Sequence, residues 1–358
     1  NTHVFSYQQS GHQPQDVAKL HHANQENANK NPANNDRLQE LIHQLKPDIV
    51  INQMPYEREI GNTLYEVHKE QKFLLLCCLR NTLFTVKLNL KTYLKRVLPK
   101  YLQPLFNNVL GKQILLQNHK SIHRSDLKYI LDTYDYFVMF GPPNIDELKY
   151  FVGNYKLDKT HLIPNSILHV EEHLPSKEKR ILWLSRLGYG QKKADLILPF
   201  WKKVMHELSD WELDIVGNGN AYKDIKQQIQ NENIPRVTLY GKQVPDKYYK
   251  RSPIYIMTSE NEGFPNTLIE AQSYGAIPVV YDNYPVCSWV VKEGGSGVLI
   301  PPFKVDKMAS EVMNLAKDKK RQERLMQAAL ENAREFHIDN VGKQWVEFFN
   351  RELKNKNT

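Results

Sequence analysis

A chain of 358 residues is long for one domain and suits two of the usual roughly 100–200 residues each. With 41% hydrophobic, 25% charged and 10% aromatic residues it holds enough apolar mass for two cores, which excludes a disordered or fibrous protein. Its 48 Lys and Arg against 40 Asp and Glu give a formal charge of +8, too mild an excess to define a partner, so the placement of the charge matters more than its sum.

Cys77, Cys78 and Cys287 are odd in number, with two adjacent, and build neither a disulfide framework nor a CxxC metal pair. Such usage suits a reducing compartment. The longest apolar run, Phe73 to Leu79, is far short of the ~20 residues of a membrane span, and the first thirty residues carry no apolar signal core, so a cytoplasmic chain is expected.

Ala23 to Asn35 is dominated by Asn, Gln and Ala without periodicity and reads as a solvated loop, and Arg37 to Leu45 as a helix broken at Pro47. Asp48 to Asn52, Phe73 to Leu79, Tyr136 to Phe140 and His161 to Pro164 are short apolar runs of the kind seen in buried parallel strands, with helical stretches between them. This alternation predicts a parallel, doubly wound sheet. Such a domain normally opens with an apolar strand and a Gly-bearing turn, which Asn1 to Leu45 nowhere combines. A first domain shortened at its start, with a smaller sheet than the second, is therefore expected.

Polar, charge-mixed His169 to Arg180 is the linker candidate, dividing the chain into residues 1–172 and 173–340. Beyond it, Ile181 to Leu184, Leu213 to Val216, Val237 to Tyr240, Ile254 to Met257 and Ala276 to Val280 read as strands, with a helix over Asp195 to Leu208 and helical sequence from Lys307 to the end. Gly188, Gly217, Gly219, Gly241 and Ser259 follow the carboxyl ends of four of these strands, where α/β sheets bind ligands on helix N-termini and free backbone N–H groups.

The densest constellation runs from Ser259 to Gly275. Pro265 suits a first helical turn and Gly275 a C-terminal cap, which puts Glu262 in the loop before a helix and Glu270 about a turn inside it. Two carboxylates then frame a helix N-terminus whose unpaired N–H groups suit an anion or a sugar oxygen. From spacing alone, an ordinary strand, loop and helix with two solvated glutamates fits as well.

This string resembles the E-x7-E motif of the family-4 retaining glycosyltransferases. Ser185-Arg186-Leu187 with Lys192, Val216-Gly217-Asn218-Gly219, Tyr240-Gly241, Pro164-Asn165-Ser166 and Gly275 to Val280 fall in that family's order and approximate spacing. The resemblance implies a GT-B fold, two Rossmann-like doubly wound parallel-sheet domains facing across a cleft. Residues 1–172 would be the acceptor side and 173–340 the donor side, with a final helix over 341–358 crossing back to the first domain. It implies Glu262, Arg186 and Lys192 as catalytic residues, with Glu262 on the donor sugar and the two cations on the diphosphate. Gly263, Phe264, Asn266 and Thr267 would hold sugar and phosphates through backbone N–H groups, and Glu270 the ribose. Lys193 stands where that family has Gly. Arg80-Asn81 follows the strand where the family has a His, and no Gly-rich loop precedes Asp48.

Transfer from a nucleotide diphosphate leaves negative charge on the departing phosphate, to be neutralised by a metal or by cations and helix dipoles. The sequence contains no Asp-x-Asp, and Arg186, Lys192 and the helix start at Gly263 supply positive charge, so neither metal nor cofactor is expected beyond the nucleotide diphosphate sugar. A glycosidase would also use two carboxylates but needs no diphosphate cradle. His119, His123 and Asp126 share one helix face, which cannot surround an ion and reads as solvated.

From Gln71 to Ser125 there is no Asp or Glu but ten Lys and Arg. Within it Val86, Leu90, Tyr93, Leu94 and Val97 have helical spacing, with Lys87, Lys91 and Lys95 along the flank, a basic amphipathic helix that suits an anionic membrane surface and equally a core-packed helix with a charged outer face, and nucleic acid less well. The expected activity is retaining transfer of a hexose-type sugar to a surface glycan or lipid-linked acceptor, in the cytoplasm and peripheral at the inner membrane face. The alternative is a non-catalytic basic adaptor.

Overall fold

The computed structural model describes residues 2–6, 19–23, 31–79, 81–88, 90–106, 108–292 and 294–357. Strands His3–Ser6 (β1) and Lys19–His22 (β2) pair in parallel, apart from the other sheets. Helix Pro32–Leu45 (α1) is followed by Ile49–Asn52 (β3), Arg58–Glu70 (α2) and Leu74–Cys78 (β4). Between β4 and Tyr136–Met139 (β5) lie Thr85–Leu88 (α3), Leu90–Val97 (α4), Gln103–Phe106 (α5) and the 25-residue Val109–Thr133 (α6). Pro142–Val152 (α7) leads to Thr160–Leu162 (β6). The apolar β3 to β6 form a parallel sheet in chain order, with β4 fully buried at its centre.

A second parallel sheet is built from Arg180–Leu184 (β7), Glu212–Val216 (β8), Val237–Gly241 (β9), Ile254–Met257 (β10), Ile277–Tyr281 (β11) and Val298–Ile300 (β12). Its helices are Ile197–Val204 (α8), Tyr222–Asn231 (α9), Asp246–Arg251 (α10), Asn266–Ser273 (α11), Pro285–Val291 (α12) and Val305–Lys317 (α13). Lys319–Glu335 (α14) and Ile338–Asn357 (α15) close the chain. Strand order is β12-β11-β10-β7-β8-β9, so the winding reverses between β7 and β10, and loops leaving their carboxyl ends diverge there to leave a crevice. Four strands in the first large sheet against six in the second matches the expected difference among the described residues.

The two sheets share a core. Phe140, at the end of β5, packs 5.3 Å from the Phe264 ring before α11, and a Cβ on Gly141 would meet Trp289 of α12 at 2.6 Å. Helix α15 returns to the four-stranded sheet, burying Val341 and Phe348 against Leu74, Leu76, Cys78, Val138 and Ile163. Its end is pinned by Lys356, whose Nζ donates to Phe73 O and to Asp135 Oδ2, both at 2.6 Å.

Burial alone would raise the Asp135 carboxyl, but hydrogen bonds from His68, Lys356 and the Leu75 N–H hold it down at about 2. A carboxyl held below its unfolded range stabilises the fold above roughly pH 4 and ceases to do so as pH falls through about 2. Acid titration followed by amide exchange is therefore expected to show residues 345–357 opening between pH 4 and 2. Asp135→Asn should open the same residues already at neutral pH and remove the dependence between pH 4 and 2.

Several expectations are corrected. The end of the Asn-rich stretch is helical, because the Asn31 side chain accepts from Ala33 N and Pro32 fits the first turn; residues 24–30 lie outside those described. The helical C-terminus is interrupted at Asp318, which caps α14, and before α15, where Ile167 pairs with His337. The basic stretch is helical as expected over α3 and α4, residue 89 between them lying outside those described, but Lys87 is folded over the Phe84 and Tyr150 rings at 4.3 and 4.5 Å rather than offered outward. The side chain of Lys91 lies outside those described. His119 and His123 are not a solvated face: their rings stack at 5.2 Å and meet Tyr93, Tyr56 and Phe151. Burial first, then the His119 charge, pushes His123 down to about 4. Among the described residues no helix is long and apolar enough to cross a membrane.

Candidate active site

The loop after β7 carries Arg186, and two glycines place it. Ser185 N donates to Val216 O, Leu187 N to Asn218 O and Ala221 N to Leu187 O, so this loop lies along the β8–α9 turn. Gly217 adopts φ +138, and a Cβ there would stand 1.8 Å from Ser185 O. Only glycine allows the two backbones to run so close. Arg186 itself is exposed and makes no side-chain hydrogen bond or ion pair among the described residues, leaving its guanidinium available at the carboxyl end of β7.

The loop continues to Lys192, whose Nζ lies 2.5 Å from Glu262 Oε1. Both groups are largely buried, with side-chain exposures of 17% and 10%, so the pair is formed in a low-dielectric crevice. Lys193 takes φ 49, the left-handed conformation that glycine adopts at no cost, which explains why a Gly fits that position in the resembling family. Its ammonium pairs with Glu260 at 3.4 Å and lies over the Phe303 ring, offsetting the strain.

Helix α11 starts at Asn266 with Pro265 in the cap position. Gly263 and Phe264 are buried in the preceding loop, Asn266 is exposed and Thr267 half-buried, its Oγ1 3.0 Å from the Tyr255 hydroxyl. Phe264 contributes more than backbone, since its ring packs on Phe140, Trp289 and Phe336 and ties the helix start to the other sheet. Asn165 Nδ2 reaches Asn266 Oδ1 at 3.1 Å across the same boundary. Glu270 lies one turn inside α11, half-buried, and accepts from the Tyr249 hydroxyl at 3.0 Å. Burial first, then the Asp246 charge, raises its carboxyl, while the Tyr249 bond lowers it. The structure thus joins Lys192 and Glu262 directly, places Gly263, Phe264, Asn266 and Thr267 at one helix start, and leaves Arg186 on its own loop and Glu270 on its own partner.

Sequence reading missed the residues that fix these loops. Gln191 Nε2 donates to Asn261 O at 2.8 Å and lies 3.3 Å from Glu262 Oε2, while Glu260 N donates to Gln191 O at 2.7 Å. Thr258 accepts from Trp183 Nε1 and donates to Lys192 O, and Asn283 donates to Ser259 O and Glu260 O. Isolated polar residues at strand ends carry no periodic signal, so only their position before or after a Gly turn marked them. Arg80, in the place of the resembling family's His, lies outside the described residues. A cavity of about 200 Å³ beside the site is lined by Gln53, Leu79, Phe140, Pro164, Asn165 and Trp345, at the carboxyl ends of the four-stranded sheet. A larger groove of about 470 Å³ lies elsewhere, between α2 and α6. Among the described residues no cluster of His, Cys, Asp and Glu has the makings of a metal site.

Residues 165–332 match the family model of glycosyl transferases group 1, so the six-stranded half of the chain carries a domain of that kind. The chain is 26% identical over 184 residues to the poly(glycerol-phosphate) alpha-glucosyltransferase of Bacillus subtilis, covering 51% of this chain and 27% of that one. It is 26% identical over 190 residues to the amylovoran biosynthesis glycosyltransferase AmsD of Erwinia amylovora, covering 52% of each. The chain therefore spans about half the length, or less, of these curated relatives. The sucrose-phosphate synthase of Thermosynechococcus elongatus superposes with a TM-score of 0.72 at 15% identity, covering 99% of this chain and 89% of that one. The fold is GT-B.

Proposed function

We propose that this chain is a retaining glycosyltransferase that moves a hexose-type sugar from a nucleotide diphosphate sugar to a hydroxyl of a growing surface glycan or lipid-linked acceptor. The observation that carries the reading is the meeting of Lys192 and Glu262 beside the start of α11, at the point where the winding of the six-stranded sheet reverses. A cation, an anion and a helix N-terminus in one crevice suit a sugar bonded to a diphosphate.

In this reading Arg186 and Lys192 neutralise the charge that develops on the departing diphosphate, helped by the positive end of α11, without a metal. Glu262 holds the sugar and keeps Lys192 in place before the donor arrives. Backbone N–H groups of Gly263, Phe264 and Thr267 orient sugar and phosphates, that of Asn266 donating instead to Phe264 O at 2.9 Å, and Glu270 takes the ribose hydroxyls. Attack on the face the diphosphate leaves retains the anomeric configuration, with a departing phosphate oxygen accepting the acceptor's proton. One relative is named an alpha-glucosyltransferase for poly(glycerol-phosphate) and another a glycosyltransferase of amylovoran biosynthesis, which supports a growing glycan as acceptor. Such an acceptor sets the reaction in the cytoplasm, peripheral at the inner face of the membrane.

The test is donor cleavage with UDP-glucose, UDP-galactose and GDP-mannose, the anomer of the released or transferred sugar being followed by proton NMR with and without EDTA. Release with retained configuration, indifferent to EDTA, is expected. Inverted product would remove the retaining assignment, and loss of turnover in EDTA the metal-independent one.

A further inference from the structure

We propose that the tip formed by α5 and the first turns of α6 is a lipid-docking surface that inserts aliphatic side chains into an anionic membrane. Tyr101, Leu105, Val109 and Leu110 are exposed by 77, 64, 75 and 67%, and Val97 and Ile114 are also exposed. Six large apolar side chains within eighteen residues form a concentration that single scattered surface residues do not.

The tip is built rather than loose. Asn108 closes the turn between α5 and α6, its Nδ2 donating to Leu105 O at 2.9 Å and its Oδ1 accepting from Gly111 N at 2.7 Å. A Cβ on Gly111 would meet Phe106 Cα at 2.5 Å, so the two helices meet backbone to backbone. Leu105, Val109 and Leu110 are thereby held outward in a fixed shape. Helix α6 is about 37 Å long, whereas β4 and β5 span only about 15 Å, so it is too long to lie wholly on the sheet, and α5 packs against it.

Charge selects the occupant. The tip lies within the stretch Gln71 to Ser125, which has no Asp or Glu, and Lys95, Lys100 and Lys112 neighbour its apolar residues in sequence. Lys87 and Lys120 are folded over the Tyr150 ring at 4.5 and 4.0 Å, so the outward charge belongs to the tip and not to α3. Exposed apolar side chains in an acid-free, lysine-bearing segment match anionic headgroups over an acyl interior. This surface deepens the reading of a lipid-linked or membrane-borne acceptor, but the physical contact does not depend on it.

The full chain would be sedimented with phosphatidylglycerol vesicles and with phosphatidylcholine vesicles, alongside the triple variant Leu105→Glu, Val109→Glu, Leu110→Glu and the charge variant Lys100→Glu, Lys112→Glu. These residues line no part of the donor site, and thermal shift with UDP and GDP monitors that site separately. The wild type is expected to bind the anionic vesicles, weakly the neutral ones, with at least a tenfold loss in the triple variant and a salt-sensitive loss in the charge variant, all variants keeping the wild-type nucleotide response. Vesicle binding unchanged in both variants would overturn the proposal. So would absence of vesicle binding by the wild type, and light scattering showing the triple variant converting a dimer to a monomer would then assign the tip to a second copy. A missing nucleotide response with intact vesicle binding would instead count against the transferase reading alone.

Discussion

Arg186→Ala is expected to lower sugar transfer by about 10³-fold, roughly 4 kcal/mol of transition-state stabilisation, while leaving the fold untouched. The asymmetry follows from its surroundings. The side chain is exposed and bonds to nothing among the described residues, so its removal leaves no group unpaired and should cost at most about 0.5 kcal/mol of stability. Glu262→Gln is expected to reach a similar loss of turnover, but with a small stability cost, because it breaks the 2.5 Å contact to Lys192 in a largely buried place. Purified Arg186→Ala protein transferring at a near-normal rate would rule out the diphosphate site assigned here.

Gly217→Ala is expected to damage both fold and site, although Gly217 touches no substrate in this account. The new methyl would fall 1.8 Å from Ser185 O at a φ of +138, so strand β8 or the Ser185–Leu187 loop must move. Strain and repacking together are expected to cost about 3 kcal/mol, a fall of roughly 10 °C in melting temperature for a domain of this size. The same displacement carries Arg186 away from the crevice. Calorimetry and nucleotide binding on one preparation check both effects, and a variant with unchanged melting temperature and binding would show that the loop is more tolerant than its geometry allows.

Most strands were legible because each is a short apolar run stopped by Gly, Pro, Ser or Asn. Val298–Ile300 was not, being three residues long with Pro301 at its end, and neither were β1 and β2, whose His and Lys residues give no apolar period. The histidines of α6 were misread because their ring contacts with Tyr56, stacked from the loop before α2, and with Phe151, edge-on from α7, are tertiary events that the spacing of His119 and His123 does not encode. At the site, the sequence marked the charged groups, because Glu, Arg and Lys beside Gly turns are conspicuous. It did not mark Gln191, Thr258 or Asn283, whose importance lies wholly in which backbone carbonyls they reach.

The central claim is that Arg186, Lys192 and the start of α11 form a nucleoside diphosphate site, and thermal unfolding of wild-type and Arg186→Ala protein with UDP, GDP and the corresponding monophosphates tests it most directly. A diphosphate at about 100 times its dissociation constant should stabilise the wild type by about 2.7 kcal/mol, an upward shift of roughly 5–10 °C. The account predicts that shift for one of the two diphosphates, a smaller one for its monophosphate, and little for either with Arg186→Ala. No shift with any nucleotide, or an equal shift in wild type and Arg186→Ala, would contradict it.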